Sequence, residues 1–304
     1  MDAPILRAEG LVKSYGGRRV VDGLSFTCRE GSVLGLLGPN GAGKTTTLRM
    51  LYGFITPEAG RIHYAGRDFG AQRTDLKRMI GVCTQDDTLD PDFTVVQNLR
   101  VYAGYFRPRV RNVGARIDEL LERFGLRPYA DHSPDQLSGG YRKRLLIARS
   151  IVHRPRVLFL DEPTTGLDPR ARVDVWELVD AMRSEGMAVI LTTHYMDEAQ
   201  RLSDDLVVLE GGREVVQGRP GEVLGRLLGE HVLVVPATEP QRPAIRAWLG
   251  DELGKRPSVV LGELRVPLGG HELALFSEQF RDALFEVRPP NLDDLFLELS
   301  VERT

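Results

Sequence analysis

The chain has 304 residues, of which 42% are hydrophobic and 27% are charged, and its net charge is −3. These values are typical of one or two globular domains, and the near balance of charge excludes a bulk attraction to nucleic acid or to an anionic membrane, so we expect no nucleic-acid partner. Two cysteines are too few for a disulfide framework, and no apolar run approaches the ~20 residues of a membrane-spanning helix, so any spanning part must come from another chain.

Apolar runs alternate with segments of helical periodicity as far as Gly218. The apolar runs predict strands at residues 20–26, 33–37, 80–84, 156–160, 187–192 and 205–209. The periodic segments predict helices at residues 43–54, 95–106, 113–124, 137–153, 169–184 and 196–202. Strands and helices that alternate in this order predict an α/β domain with a mainly parallel sheet.

The pattern changes at Gly218, where the turn-rich sequence Gly-Arg-Pro-Gly begins. The elements predicted beyond it are helices at 222–228, 272–284 and 292–300, a strand at 232–235 and a hairpin of strands at 259–261 and 264–268. Asn291 is a favourable N-cap for the last of these helices. We therefore expect two domains, a larger one at residues 1–218 and a small α+β appendage at residues 219–304.

A glycine-rich segment lies between the predicted strand at 33–37 and the helix that follows it. The sequence Gly-x-x-x-x-Gly-Lys-Thr, from Gly38 to Thr45, is the phosphate-loop pattern in its strand–loop–helix context. Glycines let backbone N–H groups converge on phosphate oxygens, and the helix N-terminus adds its positive dipole end. Lys44 supplies a charge for the β- and γ-phosphates, and Thr45 a hydroxyl for Mg²⁺. The predicted nucleotide-binding residues are Gly38, Pro39, Asn40, Gly41, Ala42, Gly43, Lys44, Thr45 and Thr46.

Further motifs follow this loop in a fixed order. The sequence Leu-Ser-Gly-Gly, which ends at Gly140, opens a predicted helix, and an apolar strand then ends in the carboxylates Asp161 and Glu162. His194 follows the end of a later strand. Together with the phosphate loop, these motifs resemble an ABC-transporter nucleotide-binding domain over residues 4 to about 218. The resemblance implies a P-loop NTPase fold with antiparallel N-terminal strands and a helical subdomain at about 94–153.

The same resemblance implies that the chain binds ATP and Mg²⁺ and hydrolyses the ATP. It makes Glu162 the residue that orients or deprotonates the attacking water, and it makes His194 a contact of the γ-phosphate. The implied catalytic residues are Lys44, Glu162 and His194. The implied ligands or sensors of Mg²⁺ are Thr45, Gln85 and Asp161, with Gln85 also coupling to the membrane partner.

The remaining implied site residues bind nucleotide from other parts of the chain. Ser138, Gly139 and Gly140 would cap ATP held by the phosphate loop of a second copy, and Asp168 would communicate across that dimer. Tyr15 occupies the position where the family stacks an aromatic ring on adenine. Tyr141 departs from the glutamine that the family most often carries there.

Several of these residues also have a purely structural interpretation. A Ser-Gly-Gly sequence can simply start a helix, a single histidine is more often structural than functional, and Tyr15 can be an ordinary tyrosine. Their order and spacing relative to the phosphate loop favour the functional interpretation. The basic run at 142–144 suits a functional role and a solvated helix face equally well, and the sequence does not decide between them.

The number of motif sets, the length of the segment between Gln85 and the signature, and the sequences around the motifs indicate the branch of the family. ABC repair and chromosome ATPases insert a long coiled coil between the glutamine and the signature, whereas here only residues 86–136 lie there, without sustained heptads. ABC translation factors carry two ATP domains, and this chain has one set of motifs. The segments 84–94, 160–169 and 192–199 and the tail at 290–299 resemble bacterial exporter ATPases of the nodulation lipooligosaccharide and antibiotic-resistance type.

This resemblance implies a peripheral subunit at the cytoplasmic face of the inner membrane. It would dimerise with a second copy of itself and power a separate polytopic permease that exports an amphipathic cargo. The alternative is an ABC ATPase that acts as a regulatory or mechanical partner of a membrane protein without moving cargo.

Overall fold

The computed structural model describes residues 3–301, and the chain divides between Gln217 and Gly218 into two compact units. The strands up to the end of the first unit are β1 (Leu6–Tyr15), β2 (Arg18–Cys28), β3 (Val33–Leu37), β4 (Ala59–Tyr64), β5 (Arg67–Asp68), β6 (Ile80–Cys83), β7 (Val157–Asp161), β8 (Ala188–Thr192), β9 (Asp205–Glu210) and β10 (Arg213–Gly218). The helices are α1 (Lys44–Leu51), α2 (Arg73–Leu76), α3 (Val95–Ala103), α4 (Val113–Arg123), α5 (Gly139–Ser150), α6 (Pro169–Ser184) and α7 (Met196–Leu202).

The central sheet of the first unit has the strand order β10-β9-β3-β8-β7-β6. Its strands β9, β3, β8, β7 and β6 pair in parallel, which confirms the predicted parallel sheet. Every residue of β3, β7 and β8 is buried, because both faces of the sheet are covered. Along β7, Phe159 packs into one hydrophobic core while Leu158 and Leu160 pack into the other.

A second, antiparallel sheet of the first unit has the order β2-β1-β4-β5. The antiparallel N-terminal strands implied by the resemblance are therefore present. Of these four strands, only β2 was predicted, from the apolar run at residues 20–26. The strand β1 was not predicted, because charged residues interrupt its apolar pattern and its register shifts near Gly10. Pairing with β2 and β4, rather than local composition, makes it a strand.

The predicted helices of the first unit are all present, with differences of a few residues at their ends. The predicted bounds of α6 and α7 match the structure. The helix predicted from residue 137 begins at Gly139, because Ser138 caps it from outside. The helix predicted to reach residue 54 ends at Leu51, shortly before Gly53, which has a positive φ.

The second unit contains a four-stranded sheet of order β12-β13-β11-β14. Its elements are α8 (Pro220–Leu228), β11 (His231–Val235), α9 (Arg242–Asp251), β12 (Ser258–Val260), β13 (Glu263–Leu268), α10 (Gly270–Gln279), β14 (Glu286–Arg288) and α11 (Leu292–Val301). Leu233, Val266 and Phe276 lie in its core. The predicted N-cap is confirmed, because the Asp294 N–H donates to Asn291 Oδ1 at 3.0 Å.

Two elements of the second unit were not predicted, and the helix α10 ends earlier than expected. The helix α9 was not predicted, and Pro243 lies in its first turn, where a helix does not need its N–H. The strand β14 is only three residues long and pairs with β11. No helix within residues 3–301 has both the length and the apolarity needed to cross a membrane.

Candidate functional site

The predicted site residues follow the ends of neighbouring parallel strands. The phosphate loop follows β3, Gln85 follows β6, Glu162 follows β7 and His194 follows β8. Because the carboxyl ends of parallel strands lie at one edge of a sheet, these segments converge there. The sheet topology therefore gathers residues that are far apart in the sequence.

Glycines in the phosphate loop allow the backbone to approach neighbouring strands closely. Gly38 has φ +148°, and a Cβ there would lie 2.2 Å from the carbonyl oxygen of Leu209 in β9. Gly43 has φ +103°, and its Cβ would lie 2.5 Å from the carbonyl oxygen of Val20 in β2. A side chain at either position would clash with main chain, so the loop requires glycine at both.

Lys44 is buried at the start of α1 and points back into the loop. Its Nζ donates to the carbonyl oxygens of Gly38 at 2.8 Å and of Pro39 at 3.2 Å. Burial lowers the pKa of Lys44, and the nearby carboxylates Glu162 and Asp161 oppose that shift. The ammonium group is thus held in the cradle of the loop, where a phosphate group would meet it.

Asp161 is buried at the end of β7, next to two hydroxyl groups. Its Oδ1 accepts from Thr192 Oγ1 at 2.6 Å and lies 3.5 Å from Thr45 Oγ1. Burial raises the pKa of Asp161, the hydrogen bond from Thr192 opposes the shift, and Glu162 adds to it. A cation would relieve this unfavourable burial of negative charge.

The carboxylate of Asp161 and the hydroxyl of Thr45 are hard oxygen donors of the kind that Mg²⁺ prefers. Among the described residues, no group of three or more His, Cys, Asp or Glu side chains is arranged to hold a metal ion. The two oxygen donors fit a Mg²⁺ ion that would take its other ligands from phosphate and water. No hydrogen bond in residues 3–301 joins Gln85 to Asp161 or to Thr45.

The carboxylate of Glu162 connects three other side chains. Its Oε2 lies 3.2 Å from His194 Nδ1 and 3.4 Å from Gln85 Nε2, and it accepts from Thr165 Oγ1 at 3.0 Å. Glu162 has φ +47°, a left-handed conformation that is costly for a residue with a side chain. Its N–H donates to the carbonyl oxygen of Thr192 at 3.1 Å. The structure thus brings together three predicted site residues, Gln85, Glu162 and His194.

Two threonines in this site were not predicted. Thr192 bonds both Asp161 and the backbone of Glu162, and Thr165 bonds the Glu162 carboxylate. Thr192 is the polar residue at the end of an otherwise apolar strand, which is the signal that could have identified it. The contact of Thr165 depends on the left-handed turn at Glu162, which the local sequence does not reveal.

The signature segment packs against the segment that carries Asp168. Ser138 Oγ accepts from the Tyr141 N–H at 3.5 Å and caps α5. A Cβ on Gly140 would lie 3.0 Å from Cβ of Ala171 in α6, so the two helices approach closely there. Asp168 Oδ1 caps α6 by accepting from the N–H groups of residues 170 and 171.

The signature has no hydrogen-bonded link to the phosphate loop of its own chain. No hydrogen bond or ion pair among residues 3–301 joins the segment 138–140 to the loop 38–46. Tyr141 contacts Tyr129, with ring centres 4.5 Å apart, and the Arg144 guanidinium lies 5.1 Å from its ring centre. The tyrosine that departs from the family pattern is therefore packed against residues of its own chain.

Tyr15 lies at the end of β1 and is 50% exposed. The Lys13 ammonium lies 5.7 Å from its ring centre. An exposed ring of this kind can stack on a planar base.

The site as a whole combines a loop of N–H groups, a buried ammonium, oxygen ligands and a carboxylate beside an imidazole. This combination suits phosphoryl transfer to water.

Comparison with known proteins agrees with this chemistry. Residues 21–165 match the family model described as ABC transporter. The chain is 41% identical to the Nod factor export ATP-binding protein I of Ralstonia nicotianae, in an alignment that covers 98% of this chain and 94% of that protein. It is 40% identical to the protein of the same name from Rhizobium etli, with 95% and 90% covered. The two alignments therefore include most of both compact units.

Solved structures of similar fold cover less of the chain. An ATP-binding subunit of an ABC transporter superimposes with a TM-score of 0.67 at 26% identity, covering 74% of this chain and 93% of that one. The protein cbiO1 from Clostridium perfringens, part of the ABC transporter complex cbiONQ, superimposes with a TM-score of 0.68 at 29% identity, covering 82% and 96%.

Proposed function

The chain belongs to the ABC transporter family as an ATP-binding and ATP-hydrolysing subunit, and on that premise we propose that it powers a separate polytopic permease that exports an amphipathic cargo. The proposed cargo is a lipooligosaccharide, a glycolipid or a drug-like molecule. The observation that carries the proposal is the 41% identity to a Nod factor export protein over 98% of the chain, which includes the second unit. The subunit would lie at the cytoplasmic face of the inner membrane.

The ATP site is proposed to be shared by two copies of the chain. Ser138, Gly139 and Gly140 stand at the N-terminus of α5, where N–H groups and the helix dipole favour a phosphate group. They have no hydrogen bond to the phosphate loop of their own chain. A second copy related by two-fold symmetry would present its signature to that loop and complete two equivalent sites. Asp168, beside the signature, would then lie near the interface.

The proposed division of labour in hydrolysis follows the contacts of the site. Lys44 and the loop N–H groups would hold the phosphates, and the Thr45 hydroxyl and the Asp161 carboxylate would hold Mg²⁺. Gln85, whose Nε2 lies 3.4 Å from Glu162 Oε2, would sense the ion. When bound, Mg²⁺ neutralises charge that develops on the phosphates. Glu162 accepts a proton from the attacking water or orients it, and His194 lies 3.2 Å away to contact the γ-phosphate.

Cargo flux in reconstituted vesicles tests this function. The chain would be purified together with its membrane partner, placed in vesicles and supplied with ATP, with the Glu162→Gln variant as control. We expect ATP-dependent movement of a labelled lipooligosaccharide or glycolipid that the variant abolishes. ATP hydrolysis that depends on the membrane partner without movement of any of these cargoes would instead support the regulatory or mechanical alternative.

A further inference from the structure

A groove rich in arginine lies outside the ATP site, in the first unit. It has a volume of about 370 Å³ and is formed by the segment between α3 and α4, by residues 153 and 154, which follow α5, and by Arg78, two residues before β6. Five of its lining side chains are arginines, namely Arg78, Arg107, Arg109, Arg111 and Arg154. None of the lining residues is acidic. We call this feature the arginine groove.

Only part of this positive charge is neutralised within the chain. Arg154 pairs with Glu119 at 2.8 Å, and Arg78 lies 3.8 Å from a carboxylate oxygen of Asp75. Arg109 and Arg111 are exposed and form no ion pair or hydrogen bond with any residue in the described range 3–301. The groove therefore carries an excess of fixed positive charge that an anionic ligand would balance.

Two stacked rings, those of Phe106 and His153, also line the groove. The rings of Phe106 and His153 lie 3.7 Å apart and within 9° of parallel. His153 Nε2 contacts the carbonyl oxygen of Ile80 at 2.9 Å, and burial lowers the pKa of His153 to about 4. The imidazole is therefore neutral at physiological pH, and the positive charge of the groove comes from guanidinium groups alone.

Apolar side chains are exposed in the sequence just before the segment that lines the groove. Tyr105 is 73% exposed, and Val101 in α3 is also exposed. The stretch from 101 to 111 thus combines an exposed aromatic ring with three arginines. This combination is typical of segments that bind at a membrane interface, where the ring sits among headgroups and the arginines meet phosphate.

We propose that the arginine groove and Tyr105 bind the phosphate headgroups of an anionic membrane surface. Guanidinium groups bind phosphate in a bidentate manner, and Arg109 and Arg111 are free to do so. The net charge of −3 gives the whole chain no attraction to such a surface, so the local cluster must provide it. The inference rests on the proposed function in one respect, since that function places the chain beside a membrane.

Vesicle binding by the full-length chain tests the proposal. The probe is a vesicle of phosphatidylglycerol and phosphatidylcholine in equal parts, compared with a vesicle of phosphatidylcholine alone. We expect binding to the anionic vesicle only, with an affinity that falls as salt is added. The double variant Arg109→Gln/Arg111→Gln should bind the anionic vesicle about tenfold more weakly or worse. The Tyr105→Ala variant should also bind more weakly, because it loses the interfacial ring.

A matched control removes the same charge elsewhere. The double variant Arg226→Gln/Arg246→Gln changes two exposed arginines of the second unit and should bind like the wild type. ATP hydrolysis without lipid should be unchanged in both double variants, which shows that they fold. Absence of wild-type binding to anionic vesicles, or equal loss in the two double variants, overturns the proposal. The proposal would also be overturned if the Arg109→Gln/Arg111→Gln variant still bound anionic vesicles but no longer bound the permease. That outcome would assign the groove to a protein contact. Cargo flux is measured in a separate experiment, so failure of the proposed function can be distinguished from failure of the membrane-binding proposal.

Discussion

Glu162 is held in a conformation that its own side chain disfavours. The left-handed backbone at φ +47° is maintained by hydrogen bonds from its N–H to Thr192, and it directs the carboxylate toward His194 and Gln85. Strain retained at such a position is expected where the geometry serves catalysis. The charge of the carboxylate, rather than its shape, should then be the property that hydrolysis requires.

The Glu162→Gln variant separates charge from shape. We expect ATP binding to persist and the hydrolysis rate to fall by about 10²- to 10⁴-fold, because the amide cannot accept the proton of the attacking water. Phosphate release measured at saturating ATP checks this. The matched control is Glu177→Gln on the exposed face of α6, which should hydrolyse ATP at the wild-type rate. Near-normal turnover in the Glu162 variant would remove the proposed role.

Lys44 supplies the only ammonium group that the described structure places inside the phosphate loop. The Lys44→Ala variant should lose ATP binding by about 10²-fold or more, because a charge-assisted contact in a partly dehydrated site is lost. Titration with a fluorescent ATP analogue measures the affinity. Lys77→Ala, at an exposed lysine outside the site, is the control. Retained tight binding in the Lys44 variant would contradict the assignment of the loop.

The sequence indicates the residues of the candidate ATP site better than it indicates their hydrogen-bond partners. Gly38, Lys44 and Asp161 follow from local patterns, because phosphate binding constrains residue types at fixed spacing. The bonds of Thr192 and Thr165 are not visible in such patterns. Thr192 meets Asp161 only because β7 and β8 are neighbours in the sheet, and Thr165 reaches Glu162 only through a left-handed turn.

The short helix α7, which follows His194, carries one buried carboxyl group. Glu198 is fully buried, and its Oε1 accepts from Thr164 Oγ1 at 2.8 Å and from Trp176 Nε1 at 3.0 Å. Burial raises the pKa of Glu198, against the hydrogen bonds that it accepts. Ionisation of this group therefore works against folding.

The sign of the resulting pH dependence can be stated. The folded pKa of Glu198 lies above its unfolded value of 4.5, so its contribution to stability is complete below that value and is lost as pH rises through the folded pKa. Glu198→Gln keeps an acceptor for Thr164 and Trp176 but cannot ionise. We expect the stability of the variant, relative to the wild type, to be greater at pH 8 than at pH 5. Urea unfolding at the two pH values measures this, and a relative stability that falls with pH would contradict it.

Elements defined by their own periodicity were predicted well, and those defined by pairing were not. The apolar run of β3 and the caps and periodicity of α6 fix both elements locally. The strands β1 and β4 contain many polar residues, and their character comes from pairing with each other. In the second unit, α9 was not predicted, although the first turn of a helix tolerates the proline that it contains there. Local sequence is therefore least informative where a distant strand or a helix end decides the structure.

In the proposed dimer, each copy of the chain contributes two incomplete halves of an ATP site. One half contains the loop with Lys44, and the other contains the signature with Ser138, which is exposed and has no hydrogen bond to that loop. If two copies combine as we propose, every complete site takes Lys44 from one copy and Ser138 from the other. A symmetric dimer then contains two such sites. This arrangement predicts an outcome for mixed dimers that a site within one chain cannot produce.

Two variants that are inactive alone should restore activity when mixed. Lys44→Ala spoils the loop half, and Ser138→Arg spoils the signature half with a side chain that its exposed position can accommodate. In a mixed dimer, one site receives both defects and the other receives none. Random mixing in equal amounts should therefore recover about a quarter of the wild-type sites. A chain carrying both changes, mixed with wild type, spoils both sites of each mixed dimer and is the control. No recovery in the first mixture would mean that each site is built within a single chain.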